Sequence, residues 1–190
     1  MKLTNTKQTY GWIAISLHWI AGLGVIALYT IGFLAGRAED AHDRASHLAL
    51  MGLHISLGAT LLVFALARVL WRLSQMQPDE PAQPMALKLA ARWTQRLLLL
   101  AIVIQFTSGP LLVWAGGHSI NIFNQFSIPS PFATRQVEIA RLAGIAHYVG
   151  RTLILVLVPL HILGALKHVV FDRDGSFERI LWPSQLKRGA

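Results

Sequence analysis

Four stretches of this 190-residue chain run for more than 20 residues with little charge, and that pattern constrains the fold more than any other feature. A helix needs about 20 apolar residues to cross a hydrocarbon layer about 30 Å thick. Only helices and closed barrels satisfy the backbone there. The runs fall at about 11–36, 48–73, 93–115 and 141–171. The expected fold is an all-α, transmembrane four-helix bundle, one integral membrane domain over residues 1–190. Met1–Tyr10 is polar and no small-residue cleavage site follows a short apolar core, so the first run is expected to remain a membrane helix.

Composition narrows the class. Apolar residues make up 54% of the chain and charged residues 14%, against about 25% charged in soluble domains. A disordered or nucleic-acid-binding protein is therefore excluded despite the formal charge of +8. The absence of cysteine removes disulfides, iron–sulfur clusters and thiolate ligands. The basic residues report topology instead. With both termini inside, the inner segments hold twelve cations: Lys2, Lys7, Arg68, Arg72, Lys88, Arg92, Arg96, Lys167, Arg173, Arg179, Lys187 and Arg188. The outer segments hold Arg37, Arg44, Arg135 and Arg141. The positive-inside rule then places both termini in the cytoplasm, with attraction to anionic lipid a secondary effect. Between the runs, 37–46 reads as a short acidic link and 74–84, with three prolines, as an irregular turn-rich one. Residues 85–92 read as an amphipathic surface segment, and 116–139 as a long apolar loop over the end of the bundle.

Eight histidines in so apolar a chain need an explanation. An ionisable group inside a span costs a few kcal/mol and is a functional hypothesis by default. His18, His54, His147 and His161 lie inside the runs, while His42 and His118 fall in loops and read as solvated. His147 and His161 are fourteen residues apart, hence within about 40° of one helix face and about 21 Å apart along its axis. In an antiparallel arrangement His18 matches the depth of His161, and His54 that of His147. Two pairs of imidazoles at two depths suit two stacked hemes with saturated axial positions, which favours electron transfer over oxygen binding.

The competing reading is that each histidine hydrogen-bonds a neighbouring helix or relays protons. A proton or ion transporter should carry Asp or Glu in its spans, yet all nine acidic residues fall outside the runs or at their extreme ends. Two imidazoles per depth also leave zinc or nickel short of ligands. A non-heme transporter is retained as an alternative. His47, seven residues before His54, competes for the outer position, but Asp43, Arg44 and Ser46 place it at the aqueous boundary. His168, beside Lys167, sits at the inner surface, where it would meet a substrate or a lipid headgroup. Arg68 and Arg72, one turn apart, are placed to meet heme propionates or to snorkel. Arg151, one turn below His147, is too deep to snorkel easily, and a propionate is its natural counter-charge. The glycines and alanines beside these residues would admit either a flat macrocycle or close helix packing. Small residues on several faces also leave a homodimer open.

Ile15-Ser16-Leu17-His18-Trp19, Leu53-His54-Ile55-Ser56-Leu57-Gly58, Ala67-Arg68-Val69-Leu70-Trp71-Arg72, Ala146-His147, Leu160-His161 and Ala165-Leu166-Lys167-His168 occur in this order. Together with the charged segment Phe171–Ser176, they resemble the bacterial cytochrome b561 family over essentially the whole chain. The resemblance implies a diheme protein of the bacterial inner membrane that holds two b hemes through His18, His54, His147 and His161. It also implies electron exchange with a quinone, with His168 and Lys167 near the inner quinone pocket. Some members resemble superoxide oxidases, which take the electron from superoxide at the periplasmic face. Many members carry a histidine near the start of the third helix, where this chain has Gln95.

The expected function is transmembrane electron transfer between an outer donor and an inner quinone. The alternative within the same chemistry is a heme-bearing anchor subunit that links an external dehydrogenase or hydrogenase to the quinone pool. For it, the apolar 116–139 segment would be the docking surface.

Overall fold

The computed structural model describes residues 2–184. Lys187 and Arg188, two of the cations used to orient the chain, lie outside the described residues. Four helices carry the fold: α1 (Trp12–Asp40), α2 (Arg44–Ser74), α3 (Met85–Ala115) and α4 (Val137–Lys167). Each contains a window long and apolar enough to cross a membrane. The fold class is all-α and transmembrane, as expected.

The helices outrun the apolar stretches because hydropathy marks the part that lies in hydrocarbon, not where the hydrogen-bond ladder stops. The first link shrinks to Ala41, His42 and Asp43, where His42 adopts φ 57° to reverse the chain. Residues 85–92 are not a separate surface segment: they form the opening turns of α3. α4 likewise starts earlier than expected, at Val137. It passes into a π-helical turn, His168–Asp172, closed by Arg173 at φ 51°. Pro110 and Pro159 sit inside α3 and α4. Each removes a backbone donor, a loss tolerated within a packed bundle.

Packing divides the chain into two compact units, each drawing on all four helices. The terminal unit comprises 2–21, 64–100 and 153–184 of the described residues. Its irregular parts are pinned by hydrogen bonds rather than by apolar burial. Asn5 Nδ2 donates to the Met76 carbonyl (3.0 Å), the Asp79 backbone N–H to that of Lys7 (2.8 Å), and Trp19 Nε1 to that of Ile180 (2.7 Å). Glu80 receives both Nε and Nη2 of Arg92, at 3.0 and 2.9 Å, and pairs with Lys88 at 3.0 Å. The proline-bearing link is thus irregular, as expected, but tethered at several points.

The hairpin unit comprises 22–63 and 101–152. The long loop is not wholly irregular: β1 (Ile120–Ile122) and β2 (Phe126–Ile128) pair antiparallel, with Ile120 opposite Ile128. Phe123 and Asn124 both take positive φ, and the Gln125 N–H closes the turn onto the Ile122 carbonyl. This mirror-image turn matches the strand twist. Ser56 anchors it, since its buried Oγ accepts the Phe123 N–H at 3.0 Å and donates to the Gly52 carbonyl at 2.8 Å. Ser56→Ala should leave that N–H unpaired and cost about 1–3 kcal/mol, seen as faster amide exchange at Phe123. Unchanged exchange would place the anchor elsewhere.

Among the described residues no large side chain is fully buried, and the least exposed positions are Ala35, Ala101 and Ala115. Small residues set the helix contacts while Val63, Leu70, Leu73 and Phe171 face outward, the pattern of a bundle in lipid.

Candidate cofactor site

Each unit holds one of the expected histidine pairs. In the terminal unit the His18 and His161 ring centroids lie 6.2 Å apart at an interplanar angle of 61°. In the hairpin unit His54 and His147 lie 6.4 Å apart at 79°. All four are half-buried. A direct N–H···N hydrogen bond of about 2.9 Å between rings would bring in-line centroids to about 5.3 Å, so these pairs are too far apart to bond each other. A metal–imidazole bond of about 2.0–2.1 Å on each side of one ion would put them about 6.4 Å apart. Two imidazoles that held one metal ion from opposite sides would show about this separation, so each pair is spaced as a shared metal would need.

In the hairpin unit, hydrogen bonds at Nδ1 fix which ring nitrogen is free. His54 Nδ1 lies 3.0 Å from the Leu28 carbonyl, which can only accept, so Nδ1 carries the proton. His147 Nδ1 lies 3.1 Å from Ser108 Oγ. That hydroxyl already donates to the Ile104 carbonyl at 2.6 Å, so it accepts from Nδ1. Both rings are left with an unprotonated Nε2, the form a metal requires. Glycines make room for them. A Cβ on Gly32 would stand 3.2 Å from His54 Cε1, and one on Gly109 3.4 Å from His147 Cε1. Spacing along the chain suggests no partner for Ser108; its only signal is a polar residue set in the third span.

His47 makes the same kind of bond, Nδ1 3.0 Å from the Ala35 carbonyl, which ties the start of α2 to the end of α1, but among the described residues no second imidazole faces its ring. His42 and His118 are exposed, as expected. Arg68 is half-buried and close enough to His18 and His161 to act on both electrostatically, whereas Arg72 is exposed. The Arg151 guanidinium lies 5.0 Å over the Tyr148 ring, a cation–π contact that spacing did not suggest.

His168 Nδ1 lies 2.8 Å from Asp174 Oδ2 and 3.0 Å from Asp172 Oδ2, and Lys167 Nζ lies 2.7 Å from Asp172 Oδ1. Lys167 and His168 thus share two carboxylates at the end of α4. Partial burial would raise the Asp174 carboxyl. The backbone N–H of Ser176 and the neighbouring His168 outweigh it and hold the group below its ordinary value of 3.8. A depressed carboxylate stabilises the fold above that value and stops doing so as pH falls through and below it. Acid should therefore loosen the 173–178 segment, and Asp174→Asn should remove that acid dependence. Amide exchange of Ser176 against pH checks this, and an identical acid limb in the variant would refute it.

Two comparisons bear on identity. The family profile described as prokaryotic cytochrome b561 matches residues 9–183. Cytochrome b561 homolog 2 of Escherichia coli (strain K12) is 31% identical over 190 residues, which cover the whole of both chains. Four membrane-length helices, paired half-buried histidines and this match agree: the chain belongs to the prokaryotic cytochrome b561 family.

Proposed function

We propose that the protein carries two b hemes, one held by His18 and His161 and the other by His54 and His147, and passes single electrons between a donor at one membrane face and a quinone at the other. The observation that carries this reading is the pair of ring separations, 6.2 and 6.4 Å, each matching bis-imidazole ligation of one metal. As a cytochrome b561 the chain is a multi-pass membrane protein of heme-mediated electron transfer. The transporter alternative falls with that membership. The finer assignments are a single membrane domain in the bacterial inner membrane, both termini in the cytoplasm, and a quinone near His168 and Lys167. Bound b heme supplies one-electron iron chemistry. His18, His161, His54 and His147 would hold it, and the bonds at Nδ1 of His54 and His147 keep Nε2 of those two rings unprotonated.

Heme and protein quantified on the purified protein should give two hemes per chain with low-spin spectra. A colourless protein would end the heme reading, and one heme per chain would remove one pair.

Superoxide is the proposed periplasmic donor, with Arg151 drawing the anion toward the heme edge at His147. Arg151→Gln should slow reduction by superoxide and weaken its salt dependence while heme content is retained. Heme loss would instead assign Arg151 to a propionate alone. Reduction no faster than by free heme would exclude superoxide. A second reading, the anchor subunit, is favoured by the exposed hairpin side chains Phe123, Phe126 (71% exposed) and Ile128. Co-purification of an external dehydrogenase or hydrogenase would support it.

A further inference from the structure

Arg179 is 4% exposed, which for a guanidinium demands an explanation. It lies in a 3-10 turn, Glu178–Ile180, in the terminal unit. Its Nη1 donates to the Asp79 carbonyl at 2.9 Å and its Cζ stacks 5.4 Å from the Tyr10 ring centre. Nε and Nη2 are buried and have no hydrogen-bond partner among the described residues. Asp79 and Asp174 act on the charge, yet among the described residues neither carboxylate lies within ion-pairing distance. A buried cation left this way is strongly destabilising unless something completes it.

The two unpartnered nitrogens are those of one edge, and the chain shows what that edge takes. Arg92 uses the same Nε–Nη2 edge to grip both oxygens of Glu80, at 3.0 and 2.9 Å. A planar two-oxygen anion fits such a fork. A quinone carbonyl offers one oxygen, and a lipid headgroup would remain at the exposed boundary, whereas Arg179 is enclosed. The turn is also clamped beside the terminal histidine pair. The Ile180 carbonyl, one residue on, accepts Trp19 Nε1 at 2.7 Å, and Trp19 packs edge-on against His18 with ring centres 5.6 Å apart. Tyr10 lies close enough to both Arg179 and Arg68 to act on each electrostatically, and Arg68 acts on His18 and His161.

We propose that Arg179 is an anion-binding residue whose buried Nε–Nη2 edge grips a propionate carboxylate of the heme held by His18 and His161, an inference that rests on the heme reading above. The guanidinium keeps that carboxylate ionised and offsets its charge near the iron. Arg179 thereby ties the C-terminal segment to occupancy of the terminal heme.

The test uses the heme-loaded protein. In Arg179→Gln an uncompensated carboxylate favours ferric iron. The reduction equilibrium of the terminal heme should shift about tenfold toward the oxidised form, which is about 59 mV for one electron, with the other heme unchanged. In protein reconstituted with heme labelled with ¹³C at the propionate carboxyls, the redox-difference infrared band of the label should move. Arg179→Lys keeps the charge but loses the fork, so it should move the band with a smaller potential shift. It serves where the glutamine variant fails to fold. A fully loaded Arg179→Gln with both potentials and the labelled band unchanged would overturn the proposal and leave the heme reading intact. Loss of bound phospholipid with unchanged potentials would reassign the fork to a phosphate and also overturn it. A wild-type protein lacking the terminal heme would overturn both.

Discussion

His161→Ala should leave a protein that has lost the heme of the terminal unit and kept that of the hairpin unit, and His147→Ala should do the reverse. In the proposed arrangement each ring is one of two donors to a metal, and its partner stands on another helix 6.2 or 6.4 Å away between ring centres. Truncation removes a donor and opens one side of the site, while the other pair lies in a unit with its own packing and hydrogen bonds. Redox-resolved absorbance and low-temperature paramagnetic resonance would separate the two signals, and heme content should fall by about half. Either variant retaining both low-spin signals would break the pairing. His47→Ala is the matched control. Among the described residues no second imidazole faces its ring, so both signals should persist and only the α1–α2 corner, held by its bond to the Ala35 carbonyl, should loosen.

A comparable loss is expected from Gly32→Val, a change that touches no proposed ligand. A Cβ at position 32 would already meet the His54 ring at 3.2 Å, and the extra methyls of valine need space the ring occupies. The imidazole would have to swing away and give up its 3.0 Å hydrogen bond to the Leu28 carbonyl. That bond holds the ring in register and its Nε2 unprotonated. Overpacking of this kind costs about 1–3 kcal/mol, and here the strain falls on the donor's orientation. Heme at the His54–His147 pair should be lost or become high-spin, with the terminal heme normal. Gly52→Val, at an exposed position where a Cβ would meet nothing within 4 Å, should leave both. Two normal hemes in Gly32→Val would show that His54 is not held where its ligand role needs it.

The asymmetry between the pairs has a physical origin. His54 and His147 are steered by a carbonyl and a hydroxyl from neighbouring helices. His18 instead packs edge-on against Trp19, which is anchored to the C-terminal turn. Orientation at one pair thus depends on helix-to-helix contacts, and at the other on a segment far along the chain.

What the sequence determined by itself was the class of solvent and the depth of the ionisable groups. Apolar runs of membrane length leave the backbone no option but helices, and spacing on a helix sets the depth and azimuth of His147 and His161 without knowledge of neighbours. Those are local, periodic properties, so they can be read along one dimension. The limits of the helices could not, because Arg37–Asp40 and residues 85–92 extend the ladder past the apolar part. The hairpin could not either: its anchor, Ser56, is 67 residues from Phe123. Ser108 and Gly32 gained their meaning only when folding set them against His147 and His54. Arg179 reads in sequence as one more basic residue after the last helix. Only the tertiary structure, which buries it against Tyr10 and the Asp79 carbonyl with its bidentate edge unpartnered among the described residues, separates it from cations in solvent. Hydrogen bonding and desolvation depend on which atoms meet in space, and residues this far apart meet only once the chain has folded.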